Sequence, residues 1–425
     1  MNSKELIKAI ASGELDARFN DVYAEDSNRQ KERYIKAIEA FSELYGCERD
    51  VYLFSVPGRS EVSGNHTDHN HGCVLAASIT LDIIAIVSKN NDGVIRIKSE
   101  GYKEDVVRIS ETDKPNEKNY FKSRGIVAGM CRGFADRGYG VGGFDAYTTS
   151  EVFKGSGLSS SAAFEVMVGN ILNHLYSEGK VENAEIAKIA QFSENVYFGK
   201  PCGLMDQTAC AVGGFVNIDF ADPKNPIINK IDFDLSGKGY SLCIVNTGGN
   251  HADLNEDYAS VPAEMKGVAK VLGHDVLRFV DESDVIRNMA MLREKCGDRA
   301  IMRAMHFIRE NKRVDAQAKA LREDNMDEFF RGVMASGDSS FKYLQNVYTT
   351  KNVAEQGLSL ALCVTESFMR GRDGAYRVHG GGFAGTIQAF VKNDCVDEYK
   401  ALINSVFGEG ACHVLKVRAY GAIMI

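Results

Sequence analysis

The strongest constraint on the fold of this chain is a glycine-rich turn that leads directly into a helix. In order, the turn consists of Gly155, Ser156, Gly157, Leu158, Ser159, Ser160 and Ser161. Glycine permits positive φ angles and a close approach of the backbone to an anion. The free N–H groups at the start of a helix attract negative charge. The turn therefore predicts a phosphate-binding loop, with a simple helix-capping loop as the alternative. It matches neither the Walker loop nor the dinucleotide-binding fingerprint.

Apolar periodicity predicts helices and strands in both halves of the chain, and therefore an α+β fold. The expected helices cover residues 31–46, 119–136, 160–176, 184–198, 259–272, 299–311 and 315–336. The expected strands cover residues 51–56, 81–88, 94–98, 144–148, 214–220, 240–247, 383–391 and 414–424. The first strand is expected to end at Pro57-Gly58. The sequence Asn90-Asn91-Asp92-Gly93 predicts a hairpin between the strands on either side of it.

The length and charge of the chain limit its organisation and its partners. At 425 residues it can form two lobes, which we expect at 1–210, with the glycine-rich turn, and at 211–425. The net charge is −8, from 50 basic and 58 acidic residues, without blocks of Lys or Arg. This balance argues against nucleic-acid binding. A polyanionic ligand such as ATP must then be held by local geometry and a metal ion.

The cellular compartment is predicted from the chain start and the cysteines. The first residues are charged, and no apolar run reaches about 18 residues, so neither a signal peptide nor a membrane span is expected. Ten cysteines are scattered singly, without a C-x-x-C pair. Such cysteines are typical of reduced thiols, and we expect a cytoplasmic protein.

A second polar cluster follows the first predicted strand and extends from Pro57 to Gly72. Its Asn, His and Asp side chains offer the alternating donors and acceptors that sugar hydroxyl groups need. A sugar pocket is therefore the sharper interpretation. The histidines His66, His69 and His71 also fit a metal site, although they lack a clear helical frame and acidic side chains that would support them as metal ligands. A polar loop without a specific function is the remaining alternative.

Two shorter clusters complete the set of motifs. Asp206 follows Cys202-Gly203-Leu204-Met205, where partial desolvation of the carboxyl group suits a general base. Alternatively, Asp206 caps the helix that follows it. The triple glycine Gly380-Gly381-Gly382 precedes an apolar strand. By itself, a triple glycine indicates a tight turn.

Taken together in the order of the chain, the four clusters resemble the motifs of the galactokinases, within the GHMP small-molecule kinase superfamily. The resemblance runs from about residue 25 to the C-terminus. It implies a two-lobed GHMP-kinase-like fold with the active site in the cleft between the lobes. It also implies a monomeric sugar-1-kinase that transfers the γ-phosphoryl group of MgATP to the C1 hydroxyl of galactose. The implied partners are a small-molecule sugar and ATP, with Mg²⁺ as cofactor.

The resemblance also implies roles for individual residues. It places Arg59 beside the reacting phosphoryl group and makes Asp206 the acceptor of the anomeric proton. The residues implied to contact the sugar are Asn65, His66, Asp68, Gly203 and Tyr258. Residues 155–161 surround the phosphates, and Ser161 and Glu194 match the family's Mg²⁺ ligands. These roles suit phosphoryl transfer, which depends on positioning and on neutralising charge on the phosphoryl oxygens.

The chain departs from the family in the sugar motif. Galactokinases usually read GEHTDYNGG where this chain reads GNHTDHNHG, so that Asn65 replaces a glutamate that accepts from the C6 hydroxyl. The family's asparagine after Arg59 is replaced by Glu61, which is displaced by one position. An amide at position 65 no longer repels a C6 carboxylate. A kinase for a C6-modified sugar such as galacturonate is therefore one alternative, and a non-catalytic galactose sensor is another, although the residues expected for catalysis are present.

Overall fold

The computed structural model describes residues 1–23, 27–152, 157–249 and 254–425. Its α-helices are α1 Ser3–Ser12, α2 Asp16–Tyr23, α3 Ser27–Tyr45, α4 Ser123–Asp136, α5 Ser160–Tyr176, α6 Asn183–Phe192, α7 Met205–Val212, α8 Asn255–Val271, α9 Glu282–Arg287, α10 Met289–Cys296, α11 Asp298–Arg322, α12 Met326–Ser339, α13 Gly357–Met369 and α14 Val396–Phe407. Its strands are β1 Tyr52–Ser63, β2 Cys73–Lys89, β3 Val94–Ser99, β4 Asp105–Arg108, β5 Phe144–Ser150, β6 Phe215–Asp219, β7 Ile227–Ile231, β8 Tyr240–Asn246, β9 Gly374–His379, β10 Thr386–Lys392, β11 Cys412–Leu415 and β12 Ile423–Met424. Two π-helical turns, Ser193–Phe198 and Ser340–Leu344, directly continue α6 and α12. Within these ranges, no helix combines the length and the apolar character needed to cross a bilayer.

Eight strands form the larger sheet, in the order β12-β1-β2-β5-β3-β4, and β6 and β7 extend it from β2. Its pairings are antiparallel except that of β3 with β5. Successive side chains of a strand point to opposite faces of its sheet. Accordingly, Phe54 and Ala85 pack with residues of α4–α7, whereas Leu53 and Ile84 pack with residues of α1–α3. The larger sheet is therefore buried between two helical layers.

Four strands form the smaller sheet, β11-β8-β10-β9, with antiparallel pairings throughout. Cys243 and Val245 of β8 share a core with α13 and α14. Leu242 and Ile244 share a different core with α11, α12 and part of β2. Helices α11 and α12 therefore contact both sheets and join the two halves of the chain.

The mixed helix and strand content expected from the sequence is confirmed, but β1 is longer than predicted. It does not end at Pro57-Gly58 but continues to Ser63. The register with β2 shifts between Pro57 and Arg59, as in a β-bulge. A bulge accommodates a residue that has no N–H to donate to the sheet. Arg59 consequently lies on a buried strand rather than in a loop.

The hairpin predicted at residues 90–93 is wrong, because β2 and β3 are not neighbours. The strand β5 lies between them, antiparallel to β2 and parallel to β3. The turn residues indicate only that the chain reverses locally. The neighbour of β2 is β5, which begins much later in the chain, at Phe144, and the turn carries no information about it. The break predicted between residues 311 and 315 is also wrong, because α11 runs through it to Arg322.

The division expected at residues 210 and 211 stays a prediction. The larger sheet extends past this point through β6 and β7, and β12 returns from the C-terminus to pair with β1. The smaller sheet and α8–α14 are built from residues after 211. The larger sheet therefore combines strands from both sides of position 211, whereas the smaller sheet is built from strands after it.

Candidate active site

Arg59 of β1 and Asp206 of α7 form the central ion pair of the candidate site. Arg59 Nε lies 2.8 Å and Nη2 lies 2.7 Å from Asp206 Oδ1. Asp206 Oδ2 accepts a hydrogen bond from Ser159 Oγ at 2.5 Å. Arg59 is only 7% exposed, whereas the Asp206 side chain is 34% exposed. The carboxylate is therefore held by two side chains and can still be reached from solvent.

The electrostatics of this pair favour a permanently charged arginine. Burial disfavours the charged guanidinium, but the carboxylates of Asp206 and Glu61 outweigh it and raise the pKa of Arg59. The helix-capping alternative for Asp206 does not describe the structure, because Leu204 is the residue before α7. Asp206 lies within the first turn, and its carboxylate bonds to side chains instead.

The described part of the predicted phosphate loop, residues 157–161, is anchored on Arg59. The backbone N–H of Arg59 donates to the carbonyl of Leu158 at 3.1 Å, and Arg59 Nη1 donates to the carbonyl of Gly157. Ser159 precedes α5 with a left-handed φ of 60°. The helix begins at Ser160 beside the ion pair, where its free N–H groups can receive an anion. Gly155 and Ser156 lie outside the described residues.

A polar cluster that includes buried carboxyl groups lies beside the first turn of α5. Ser161 and Glu194 line one cavity of about 170 Å³. Glu194 Oε2 accepts from Gln207 Nε2 at 2.9 Å, and Lys200 Nζ donates to Glu194 Oε1 at 3.1 Å. The same Gln207 Nε2 donates to Glu165 Oε2 at 3.0 Å. In the described part of the chain, no group of three or more His, Cys, Asp or Glu could hold a metal ion.

Glu165 adds a second buried carboxyl group to this cluster. Its side chain is fully buried, and among the described residues its Oε1 has no hydrogen-bond partner. Burial, followed by the charge of Glu194, raises the pKa of Glu165 well above its ordinary value. Glu165 therefore favours its neutral form here, and a divalent cation such as Mg²⁺, held by the hard oxygen atoms of this cluster, would favour its charged form.

Asp68 and Gly203 lie against each other at the same cavity. Asp68 begins a 3-10 turn, Asp68–Asn70, a few residues after β1. A Cβ atom at position 203 would lie 2.5 Å from Asp68 Oδ2. The absence of a side chain at position 203 therefore lets the segment before α7 approach this carboxylate without displacing it.

His66 and Tyr258, both expected at the sugar, contact the C-terminal glycine motif. His66 Nε2 lies 2.8 Å from the carbonyl oxygen of Gly381. Tyr258 Oη donates to the carbonyl of Gly382 at 2.7 Å. Burial lowers the pKa of His66, so its ring is neutral at pH 7 and donates to the carbonyl. The sugar motif and the glycine motif are thus joined directly.

Asn65 is fully buried and its side chain is occupied by protein partners. Its Nδ2 donates to Glu61 Oε1 at 2.7 Å and to the carbonyl of Gly380 at 2.5 Å. Its Oδ1 accepts from Asn346 Nδ2 at 2.5 Å. Asn65 therefore connects the sugar motif with the glycine motif in this conformation.

The structure brings part of the expected site together around one cavity. The expected residues that line it are Asp68, Ser161, Glu194, Gly203 and Asp206, and the others are His69, Lys200, Cys202, Met205 and Gln207. Sequence reasoning missed Lys200 and Gln207, although both belong to the segment that carries Asp206. It also missed Glu165, which follows Ser161 by one helical turn, a spacing that places two side chains on one helix face.

Comparisons with known proteins agree with this geometry. Residues 122–214 match the family described as "GHMP kinases N terminal domain", and residues 39–89 match the "Galactokinase galactose-binding signature". A galactokinase of Streptomyces coelicolor is 31% identical over 373 residues, which cover 87% of this chain and 92% of that protein. A galactokinase of Actinobacillus pleuropneumoniae serotype 3 is 30% identical over 86% of this chain and 92% of its own length.

Solved structures show the same relationship. The crystal structure of Lactococcus lactis galactokinase with galactose matches with a TM-score of 0.75 and 25% identity, covering 91% of this chain and 98% of that chain. A mevalonate kinase structure matches with a TM-score of 0.61 and 14% identity, covering 86% and 99%, and so shares the fold. On these matches, the chain belongs to the galactokinase family of the GHMP kinases.

Proposed function

We propose that this protein is an ATP-dependent sugar kinase that transfers the γ-phosphoryl group to the C1 hydroxyl of galactose. The products are galactose 1-phosphate and ADP. The observation that carries the proposal is the Asp206 carboxylate, which Arg59 and Ser159 hold at a cavity that Asp68 also lines. Galactokinases that align with most of the chain support the choice of sugar and reaction. They do not favour the galacturonate kinase or the sensor.

In this reaction Asp206 orients the attacking hydroxyl and accepts its proton. A positioned carboxylate can do both, because it binds the hydroxyl hydrogen before transfer and takes it as the O–P bond forms. Arg59 fixes the carboxylate through the two-atom contact with Oδ1. Its positive charge also lies beside the start of α5, where charge on the phosphoryl oxygens must be stabilised.

Ser161 and Glu194 fit the metal ion of MgATP. They are oxygen ligands at one cavity, and the buried carboxyl group of Glu165 lies close to Glu194 through their shared donor Gln207. Two such ligands suit an ion that takes most of its other oxygens from phosphate and water. When bound, Mg²⁺ neutralises charge on the phosphate oxygens. Lys200 and Gln207 hold the Glu194 carboxylate in the orientation it needs.

A coupled ADP-release assay tests the proposal directly. The purified protein would be supplied with MgATP and, separately, with galactose, galacturonate, N-acetylgalactosamine, arabinose and glucose. We expect the highest kcat/KM for galactose, and phosphorus NMR of the product should show a phosphate at C1. A higher kcat/KM for galacturonate, or no ADP release above the sugar-free rate with any of these sugars, would overturn the proposed function.

Two further expectations concern the state of the protein in the cell. Family likeness suggests a monomer whose partners are its two small substrates. The singly scattered cysteines suggest a cytoplasmic location. Light scattering coupled to size exclusion tests the first expectation, and fractionation of cells that express the protein tests the second.

A further inference from the structure

Helix α11 comes from the C-terminal half of the chain, yet it contacts the loop between β1 and β2. This loop, residues 64–72, carries Asp68 to the cavity. At its start, the Gly64 N–H donates to Glu310 Oε1 at 3.0 Å. One residue later, the carbonyl of Asn65 accepts from His306 Nε2 at 3.0 Å. Residues 306 and 310 are four apart, so they share one face of α11.

The same helix also contacts the far end of the loop. The Cys73 N–H donates to Asn311 Oδ1 at 2.7 Å. A Cβ atom at position 72 would lie 2.6 Å from this Oδ1, so the contact depends on Gly72. Thr67 Oγ1 donates to the carbonyl of Cys73 at 2.7 Å and closes the loop from within. One helix therefore holds both ends of the loop.

The acceptor at the loop start is a buried and fully bonded carboxylate. Glu310 has no exposed surface, and its Oε1 also accepts from Ser63 Oγ at 3.0 Å and from Ser336 Oγ. Its Oε2 accepts from Arg313 Nε at 2.7 Å. A buried carboxylate is costly unless it is paired in this way. The bond to the Gly64 N–H is therefore charge-assisted and stronger than a neutral one.

His306 is held in one tautomer. Its Nε2 faces a carbonyl oxygen, which only accepts, so Nε2 carries the hydrogen. Nδ1 then accepts from Ser339 Oγ at 2.9 Å. Burial lowers the pKa of His306 to about 4, which agrees with a neutral ring at pH 7. His306 thus acts as a fixed donor to the loop backbone.

We propose that His306, Glu310 and Asn311 are positioning residues for the sugar site, because they fix both ends of the 64–72 loop. The side chain that benefits is Asp68, which lines the cavity shared with Asp206. The inference rests on the proposed function for the identity of the substrate, but the contacts themselves do not depend on it. None of the three residues lines the cavity, so their effect on the sugar is transmitted by the loop.

The test compares two neighbouring residues of α11. Asn311→Ala removes the acceptor of the Cys73 N–H, whereas Lys312→Ala changes an exposed side chain on the same helix. We expect Asn311→Ala to raise the KM for galactose about five- to tenfold, as for the loss of a positioning hydrogen bond. The KM for ATP should stay at the wild-type value. Hydrogen exchange of peptides covering residues 63–75 should be faster than in Lys312→Ala.

A second pair of variants examines the loop start. His306→Ala should also raise the galactose KM, and His306→Gln, whose amide can donate to the Asn65 carbonyl, should recover part of the loss. Equal increases in both KM values, or a fall in Tm with unchanged KM values and unchanged exchange of residues 63–75, would overturn the proposal. Either result would show that α11 only stabilises the fold.

Failure of this inference can be distinguished from failure of the proposed function. A wild-type protein that does not phosphorylate galactose refutes the function, and hydrogen exchange then decides the inference without any substrate. Faster exchange of residues 63–75 in Asn311→Ala than in Lys312→Ala supports the proposal, and equal exchange overturns it.

Discussion

Asn65 donates a hydrogen bond from its side-chain Nδ2 to Oε1 of the Glu61 carboxylate at 2.7 Å. Asn65 has no exposed surface and Glu61 is 7% exposed. Burial raises the pKa of Glu61, although Arg377, Asn65 and Arg59 oppose the shift. The negative charge of this pair therefore lies on the strand β1, while the neutral donor lies on the 64–72 loop.

This relationship predicts strong coupling between positions 61 and 65. Asn65→Glu would place two buried carboxylates against each other, which disfavours the charged form of both. We expect the free energy of unfolding to fall by about 3 kcal/mol, the cost typical of an uncompensated buried charge. The double variant Glu61→Asn/Asn65→Glu restores a donor and an acceptor and should recover most of the loss. Urea denaturation of the wild type, Glu61→Asn, Asn65→Glu and the double variant measures the coupling. A loss of unfolding free energy in the double variant equal to the sum of the two single losses would contradict it.

The ion pair predicts the behaviour of Asp206→Asn. The amide cannot take a proton from the sugar hydroxyl, so kcat should fall by about 10²–10⁴, the usual contribution of a positioned base. The galactose affinity, measured by calorimetry, should change little because the side chain keeps its shape. Asp222→Asn is the control, since it removes one carboxylate from an exposed loop. A kcat within a few-fold of the wild type would mean that Asp206 only binds Arg59.

The sequence predicted the parts of this protein that local patterns specify. Helix α5 occurs at the residues where the apolar spacing placed it. Four separate motifs indicated the site, and the structure brings Asp206, Glu194 and Asp68 to one cavity. Each motif consists of residues that are close together in the chain, so a pattern in one segment is enough to identify it, although the meeting of the motifs at one cavity is not local.

The features that the sequence did not reveal depend on contacts between distant segments. The Gly93 turn is present, but β5 rather than β3 pairs with β2. The positions of Glu310 and Asn311 on α11 carry no local signal for a role at the 64–72 loop. Their contacts arise only when α11 packs against both sheets. Asn65 was expected to face the sugar's C6 position, and this remains a prediction. In the structure, the side chain of Asn65 bonds to protein groups instead.

The cavity predicts which variants change the metal requirement. Glu194→Gln removes a charged oxygen ligand, so more Mg²⁺ should be needed for half-maximal activity, and Mn²⁺ binding with ADP, followed by electron paramagnetic resonance, should weaken. Ser161→Ala should act in the same direction but less strongly, because a hydroxyl carries no charge. Galactose binding should be unchanged in both. Glu178→Gln, whose side chain is 77% exposed, is the control, and an unaltered Mn²⁺ affinity in Glu194→Gln would remove that residue from the site.

A buried ionic cluster around Asp82 of β2 predicts how stability depends on pH. Asp82 contacts Arg33 Nη1 at 2.5 Å, Arg418 Nη1 at 3.3 Å and Tyr23 Oη at 2.7 Å. Asp82 and Arg418 have fully buried side chains. The cluster ties α2, α3 and the segment before β12 to β2. Burial opposes the charged form of Asp82, but the two arginines outweigh it and hold its pKa below the ordinary value.

The sign of this shift fixes the direction of the pH effect. A carboxyl group with a lower pKa in the folded state stabilises the fold above its unfolded pKa, about 4, and loses that contribution as the pH falls through the folded value. The free energy of unfolding should therefore decrease below about pH 4, and part of this decrease should be missing in Asp82→Asn. At pH 7 the variant should be less stable by about 3–5 kcal/mol, because Arg33 and Arg418 lose their buried partner. Asp232→Asn, with a side chain 93% exposed, should keep the wild-type profile. If the free energy of unfolding of Asp82→Asn falls with pH below about pH 4 as steeply as that of the wild type, the charge of Asp82 does not hold these segments together.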